Sequence, residues 1–132
     1  MVKQSKMKKR DKKIKIIDWI FIALIILIII LIFTAVDYYI HTLKEDYSVP
    51  SYYFKNKIIF GTLIGFITYF FIRKISLLKK ALIFSAIISV LLQTRYYLEG
   101  YSKIFIFEFL IFHFLILLLV SFIIFRLLKN KI

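Results

Sequence analysis

The feature that most constrains this chain is an uncharged apolar run of eighteen residues, Trp19 to Val36, near the N-terminus. The hydrocarbon core of a bilayer, about 30 Å thick, takes roughly 20 such residues as one α-helix. A secretory signal has a shorter apolar region of about 7–15 residues, followed by small residues at the cleavage site. This run is longer and ends in Asp37-Tyr38-Tyr39, so we expect it to be a retained membrane anchor.

Three further apolar segments predict an all-α bundle of four transmembrane helices. The predicted spans cover residues 16–39, 57–73, 80–97 and 104–126, and residues 1–15 form a basic tail. The third segment has an apolar centre of only twelve residues, 81–92, which also fits a re-entrant or interfacial segment. The segments are continuously apolar rather than alternating, which favours helices over barrel strands.

The distribution of charge predicts the orientation in the membrane. With four spans, fifteen of the twenty Lys and Arg lie on the side of the N-terminal tail, and positive charge collects on the cytoplasmic side. A three-span arrangement gives nearly the same count. Eight of the nine tyrosines lie on the other side only with four spans, as an interfacial belt. We therefore expect a multi-pass protein of the cell membrane with both termini in the cytoplasm.

The basic tail, residues 1–15, carries eight of the basic residues. We expect it to lie on anionic lipid headgroups, where each charge contributes about 1 kcal/mol. An RNA, a ribosome or an acidic protein is the alternative partner, and the charge distribution makes nucleic acid the weaker choice. The chain has no cysteine, so disulfides and thiolate metal sites are excluded.

Small residues predict how the helices pack. The second span contains Gly61 and Gly65 at the GxxxG spacing, which lets two helix backbones approach closely. The third span has Ala81, Ser85 and Ser89 at intervals of four, on one face. We expect the two faces to pack together within the chain. A homo-oligomer interface or a close approach of a ligand is the alternative.

Ionisable residues inside a span are functional candidates by default, because lipid makes them costly. Glu108 and His113 lie in the fourth span, five residues and thus about 140° apart on the helix. Arg95 is the expected partner of Glu108. The candidate polar cluster near the tyrosine belt consists of Asp37, His41, Gln93, Arg95, Glu108 and His113.

Two interpretations of that cluster stay open. It is either a structural ion pair that fixes the third and fourth spans, or a pocket for an ion, a proton or a lipid headgroup. For His113 the alternatives are a neutral imidazole bonded to a neighbour and a proton relay. No metal site is expected, because the sequence offers no second histidine ligand at helical spacing from His113.

The sequence has no nucleotide-binding, hydrolase or metalloprotease motif. The leading expectation is a structural or accessory membrane subunit, without a cofactor, that binds itself or a larger partner through its helices. The first alternative is a small oligomeric transporter or channel that uses the polar cluster. The second is an enzyme that acts on lipid at the outer surface through Glu108, His41 and the tyrosines, which requires Glu108 and His41 to share one open pocket.

Overall fold

The chain is all-α, as the sequence predicts. The computed structural model describes residues 2–131, with side chains from residue 16 onward, so the side chains of the basic tail lie outside the described part. The helices are α1 (Val2–His41), α2 (Tyr52–Ile72), α3 (Leu77–Leu98) and α4 (Lys103–Leu127). A short 3₁₀ helix, Glu45–Tyr47, lies in the link between α1 and α2.

All four helices are long and apolar enough to cross a membrane. The apolar part of α1, Ile16–His41, has 26 residues, and α2, α3 and α4 have 21, 22 and 25. At 1.5 Å per residue the shortest is about 32 Å long, against a hydrocarbon core of about 30 Å. The third segment is therefore a helix of full spanning length, because it continues past its apolar centre at both ends.

The helices form a ring in which α1 contacts α2, α2 contacts α3, α3 contacts α4 and α4 contacts α1. The links at residues 73–76 and 99–102 are four residues long, so consecutive helices run antiparallel. The end of the bundle where α1 ends at His41 and α2 begins at Tyr52 is called the tyrosine end below. The described chain begins and ends at the opposite end.

Buried faces at helical spacing hold the bundle together. In α4 every fourth residue is buried, from Phe105 through Phe109 to Phe125. The half of the interior at the opposite end is mainly apolar and includes Ile26, Phe84, Leu117 and Phe125, with Ser85 and Ser121 as buried polar side chains. In a bilayer, side chains of this kind stabilise a bundle through close packing, since lipid tails are as apolar as the side chains.

The glycines of α2 bring it close to α1. A Cβ added at Gly61 would lie 3.2 Å from Ile30, and one added at Gly65 would lie 2.9 Å from Ile26 and 3.1 Å from Phe84 of α3. The GxxxG face thus contacts α1 at both positions and α3 at one, whereas the sequence predicts a contact with α3 alone.

The small face of α3 lies toward α4. Ser85 lies 3.3 Å from Ser121 of α4, hydroxyl to hydroxyl. Ser89 lines a shallow groove between α3 and α4, and Ala81 is fully buried. The glycine face of α2 therefore packs on α1 and in part on α3, and the small face of α3 lies toward α4, because every helix in a ring of four has two neighbours.

Candidate functional site

Every helix contributes to one group of buried polar side chains at the tyrosine end, named here the buried polar network. Asp37 of α1 lies at its centre and is fully buried. The members are Asp37, His41, Lys57, Gln93, Tyr96 and His113. Helical spacing explains the α1 pair, because Asp37 and His41 are four residues apart and share the face that packs on the other helices.

Three side chains surround the Asp37 carboxylate. His113 Nε2 donates to Asp37 Oδ1 at 2.8 Å, across the bundle from α4. The Lys57 ammonium donates to the other carboxylate oxygen, Oδ2, from α2. His41 Nε2 lies 3.4 Å from the same oxygen.

The hydrogen bonds assign a tautomer to His41. Its Nδ1 lies 2.5 Å from the backbone carbonyl oxygen of Tyr47, which can only accept, so Nδ1 carries the hydrogen. Nε2 then accepts from the Lys57 ammonium at 3.2 Å and from the Tyr96 hydroxyl at 3.4 Å. His41 is therefore a neutral imidazole that connects the loop after α1 to the charged pair.

His113 takes the other tautomer. Its Nε2 donates to Asp37, and its Nδ1 accepts from Gln93 Nε2 at 2.7 Å. The remaining amide oxygen, Gln93 Oε1, is buried and has no hydrogen-bond partner among the described residues. An unpaired buried acceptor costs about 1–3 kcal/mol, which makes Gln93 the under-satisfied member of the network.

The network is electrically neutral as a whole. Asp37 carries one negative charge and Lys57 one positive charge, and their side chains are 0% and 5% exposed. Aromatic rings enclose it: Phe109 stacks on His41 at 4.1 Å between ring centroids, and Phe33 meets His113 edge-on at 5.1 Å. A charge pair in such a shell is stable only while both partners remain.

A cleft of about 280 Å³ opens between α2 and α3 beside the network. Its residues are Tyr53, Asn56, Lys57, Phe60, Ile64, Leu91, Leu92, Arg95 and Tyr96. Phe60, Ile64, Leu91 and Leu92 make an apolar wall, whereas the basic and phenolic side chains lie toward the tyrosine end. The Tyr53 hydroxyl is buried and has no hydrogen-bond partner among the described residues. We call this feature the α2–α3 cleft.

The structure brings together four of the six predicted cluster residues: Asp37, His41, Gln93 and His113. Arg95 lies outside the network, half-exposed at the rim of the α2–α3 cleft. Its Nε donates to Glu99 at 3.3 Å, and its guanidinium lies 4.9 Å from the centre of the Tyr53 ring. Arg95 therefore pairs with Glu99, four residues on and just after α3 ends, rather than with Glu108.

Glu108 also lies outside the network. It lines a surface cavity with Lys44, Asp46 and Tyr47, whereas His41 lines a different cavity. A hydrogen bond with Glu108 raises the pKa of Tyr47 above its ordinary value. The separation follows from helical geometry, because five residues turn Glu108 about 140° away from the inward face that carries His113.

Lys57 and Tyr96 are members of the network that the sequence did not single out. The sequence interpretation counts Lys57 among the charges of the outer loop. In the structure α2 begins at Tyr52, five residues before Lys57, so this lysine lies within the helix. Asp37 lies four residues before α1 ends and Lys57 five residues after α2 begins, so antiparallel packing brings them to the same level. This matched spacing is a signal that sequence reasoning can use. Nothing in the sequence separates Tyr96 from the neighbouring tyrosines.

Three atoms of the network are also potential metal ligands. One ligand atom each from Asp37, His41 and His113 lies within 4.8 Å of the other two. The second histidine of this group comes from another helix, so helical spacing around His113 gives no sign of it.

No family model, curated protein or solved structure matches the chain. The fold and the site define its class instead. It is a four-helix bundle of membrane-spanning dimensions with a neutral polar network at one end, and a lateral cleft leads to that network.

Proposed function

We propose that the chain is a multi-pass membrane protein that binds an anionic amphiphile, a lipid with a phosphate or carboxylate head, in the α2–α3 cleft. The observation that carries this proposal is the composition of the cleft: an apolar wall that continues to the Arg95 guanidinium at the rim, beside Lys57, which is already paired with Asp37. The proposal includes the cytoplasmic location of both termini, so that the cleft opens toward the outer leaflet.

The charge and tyrosine distributions support that orientation. The tyrosine end of the bundle carries eight tyrosines and few basic residues, which is typical of an outer interface. Lys57 does not count toward the outer charge, because Asp37 neutralises it inside the bundle.

The apolar wall suits an acyl chain that enters sideways from the membrane. Leu91 and Phe60 are 47% and 49% exposed on the outside of the bundle, so the wall joins the lipid-facing surface. Ligand pockets are commonly apolar with a few convergent polar groups, which is the pattern here. A chain segment of a lipid needs no aqueous route to reach this cleft.

The polar end of the cleft suits an anionic headgroup. Arg95 presents a planar guanidinium with several donors, which matches a phosphate or a carboxylate. Asn56 and the unpaired hydroxyl of Tyr53 lie along the same cleft. A bound anion that accepts from Tyr53 removes the cost of burying that hydroxyl alone.

The alternative functions make different demands on the interior. A path through one bundle would need a continuous polar interior, whereas the described interior of the half at the opposite end is mainly apolar, with Ile26, Phe84, Leu117 and Phe125 in it. Transport would therefore require a path between protomers. In an accessory subunit the buried polar network would only fix the four helices together, and the cleft would bind no anionic lipid selectively.

Native mass spectrometry from nanodiscs tests the proposal. The discs contain equal amounts of phosphatidylglycerol and phosphatidylcholine, and the readout is the ratio of the two lipids retained on the protein. We expect phosphatidylglycerol to be enriched, and the enrichment to fall about tenfold in Arg95→Gln, since a charge-assisted hydrogen bond contributes roughly 1.5 kcal/mol. Leu91→Trp, which fills the apolar wall, should lower retention of both lipids.

Two matched variants serve as controls. Lys103→Gln removes one positive charge from the same end of the bundle, and Ile87→Trp adds the same bulk to the exposed side of α3. Neither residue lines the cleft. A parallel measurement with oleate in place of phosphatidylglycerol separates a carboxylate from a phosphate ligand. Equal retention of anionic and zwitterionic lipid, or equal effects of Arg95→Gln and Lys103→Gln, would contradict the proposal.

A further inference from the structure

We infer that the buried polar network contains a divalent-cation site of the zinc type, with Asp37, His41 and His113 as its protein ligands. One ligand atom from each of the three lies within 4.8 Å of the others. Two imidazoles and one carboxylate are a set that zinc uses in sites where a fourth position stays open. This inference does not depend on the proposed amphiphile.

The distances suit a tetrahedral metal. Ligand atoms about 2.0–2.1 Å from a tetrahedral ion lie roughly 3.3 Å from one another. His41 Nε2 lies 3.4 Å from one carboxylate oxygen of Asp37, Oδ2, and His113 Nε2 lies 2.8 Å from the other, Oδ1; one ligand atom from each residue lies within 4.8 Å of the other two. Separations of up to 4.8 Å have to close by up to about 1.5 Å to reach that spacing, so the three side chains lie near zinc geometry.

A hydrogen-bond acceptor already lies behind His41. Metal-binding histidines usually donate their second ring N–H to a carbonyl or carboxylate, which orients the ring. His41 Nδ1 donates to the backbone carbonyl of Tyr47, and its Nε2 lone pair is directed into the network. His41 therefore has the tautomer that a zinc ligand requires.

Gln93 supplies the same support to His113 after one rotation of its amide. Gln93 Nε2 now faces His113 Nδ1 at 2.7 Å, while Oε1 is buried without a partner among the described residues. Turning the amide by half a revolution directs Oε1 to Nδ1–H and leaves the Nε2 lone pair of His113 for a metal. The rotation exchanges two atoms of similar size, so no other side chain has to move.

Lys57 is the internal competitor of the metal. Its ammonium donates to Asp37 and lies 3.2 Å from His41 Nε2, so it neutralises the carboxylate when no metal is bound. Lys57 also lines the α2–α3 cleft, which gives its side chain space to withdraw when a cation enters. A variant without this ammonium should therefore bind a divalent cation more tightly than the natural chain.

A Co²⁺ titration of the full chain, purified in detergent without a polyhistidine tag, tests the site. Tetrahedral Co²⁺ has visible d–d absorption, and Zn²⁺ added afterwards should abolish it by displacement. We expect one Co²⁺ per chain, and at least tenfold tighter binding in Lys57→Met. Gln93→Leu should weaken binding about 10- to 100-fold, as for other residues that orient a ligand, and Gln93→Glu should restore it.

Thermal unfolding of the same samples keeps the test independent of folding defects. Lys57→Met leaves Asp37 without its counter-charge. Zn²⁺ should therefore raise the melting temperature of Lys57→Met by more than it raises the melting temperature of the natural chain. Glu108→Gln and Glu99→Gln remove acids outside the network. They should change neither the affinity for Co²⁺ nor the rise in melting temperature that Zn²⁺ causes.

Two results would overturn the inference. One is the absence of Co²⁺ binding to both the natural chain and Lys57→Met while both remain folded by circular dichroism. The other is undiminished Co²⁺ binding when His113→Gln is added to Lys57→Met, because the metal would then be bound elsewhere.

Discussion

Breaking the Asp37–Lys57 ion pair from one side should be far more damaging than removing it entirely. In Lys57→Met the Asp37 carboxylate stays fully buried and keeps the hydrogen bond from His113 at 2.8 Å. Removing one partner of a buried pair costs about 3–5 kcal/mol. Because His113 still donates to the carboxylate, we expect the lower end, about 3 kcal/mol.

The double variant Asp37→Asn/Lys57→Met should recover most of that loss. It removes both charges, and the amide oxygen introduced at position 37 still accepts from His113 Nε2. Replacing a buried ion pair with uncharged side chains is often nearly neutral, so the double variant should lie within about 1 kcal/mol of the natural chain. Asp37→Asn alone leaves the Lys57 ammonium buried without its counter-charge and should also cost about 3 kcal/mol or more, so the coupling energy between the two positions is about 5 kcal/mol, above the range of about 0.5–3 kcal/mol usual for contacting residues.

The assay is equilibrium unfolding in mixed micelles of increasing SDS content, followed by far-UV circular dichroism with EDTA present. The control cycle uses Arg95→Gln and Glu99→Gln, an i,i+4 pair whose side chains are 40% and 37% exposed. Such exposed pairs contribute about 0.2–1 kcal/mol. Coupling energies of similar size in the two cycles would refute the idea that burial makes the Asp37–Lys57 pair critical.

The packing and the loops support three more predictions. Gly65→Ala should destabilise the bundle by about 1–3 kcal/mol in the same assay, because the added Cβ would lie 2.9 Å from Ile26. Gly61→Ala should lower the free energy of unfolding by less, because its Cβ would lie 3.2 Å from Ile30. Glu108→Gln should lower the pKa of Tyr47, because the hydrogen bond with Glu108 raises that pKa. The measurement is an ultraviolet titration, in which the curve of the chain with Tyr47→Phe is subtracted from the curve of the chain that retains Tyr47. In this cysteine-free chain, Ser51→Cys should react with an impermeant maleimide on intact cells, whereas Ser76→Cys at the opposite end should react only after lysis.

The fold was largely predictable, because the length of each apolar run can be counted in the sequence and compared with the thickness of a bilayer. Runs such as Trp19 to Val36 admit few structures besides a spanning helix. The third helix was harder, because its apolar centre of twelve residues is too short to span a bilayer and is extended by the polar residues Gln93, Thr94 and Arg95. In the bundle Gln93 is buried against His113, so a polar residue at that position belongs to the helix.

The site was predictable in part. The cost of charge in lipid selects His113 and also Glu108, which lies outside the network, whereas Asp37 and His41 were predicted as polar residues at the end of the first span, and the structure brings these two together with His113. The sequence could not pair them, because the partners lie up to 76 positions apart and their contact depends on how each helix is rotated in the ring. Lys57 was missed for a related reason: a lysine near a predicted helix end looks like an interfacial charge until α2 is found to begin at Tyr52.

Photo-crosslinking with a lipid probe tests the central claim most directly. The natural chain in nanodiscs receives either phosphatidylglycerol or phosphatidylcholine with a diazirine in the acyl chain, and the modified residues are located by peptide mass spectrometry. We expect the anionic probe to mark Ile64, Leu91 and Leu92 of the α2–α3 cleft several-fold more than the zwitterionic probe does. Equal marking by both probes, spread over the lipid-facing surfaces of all four helices, would contradict selective binding in the cleft.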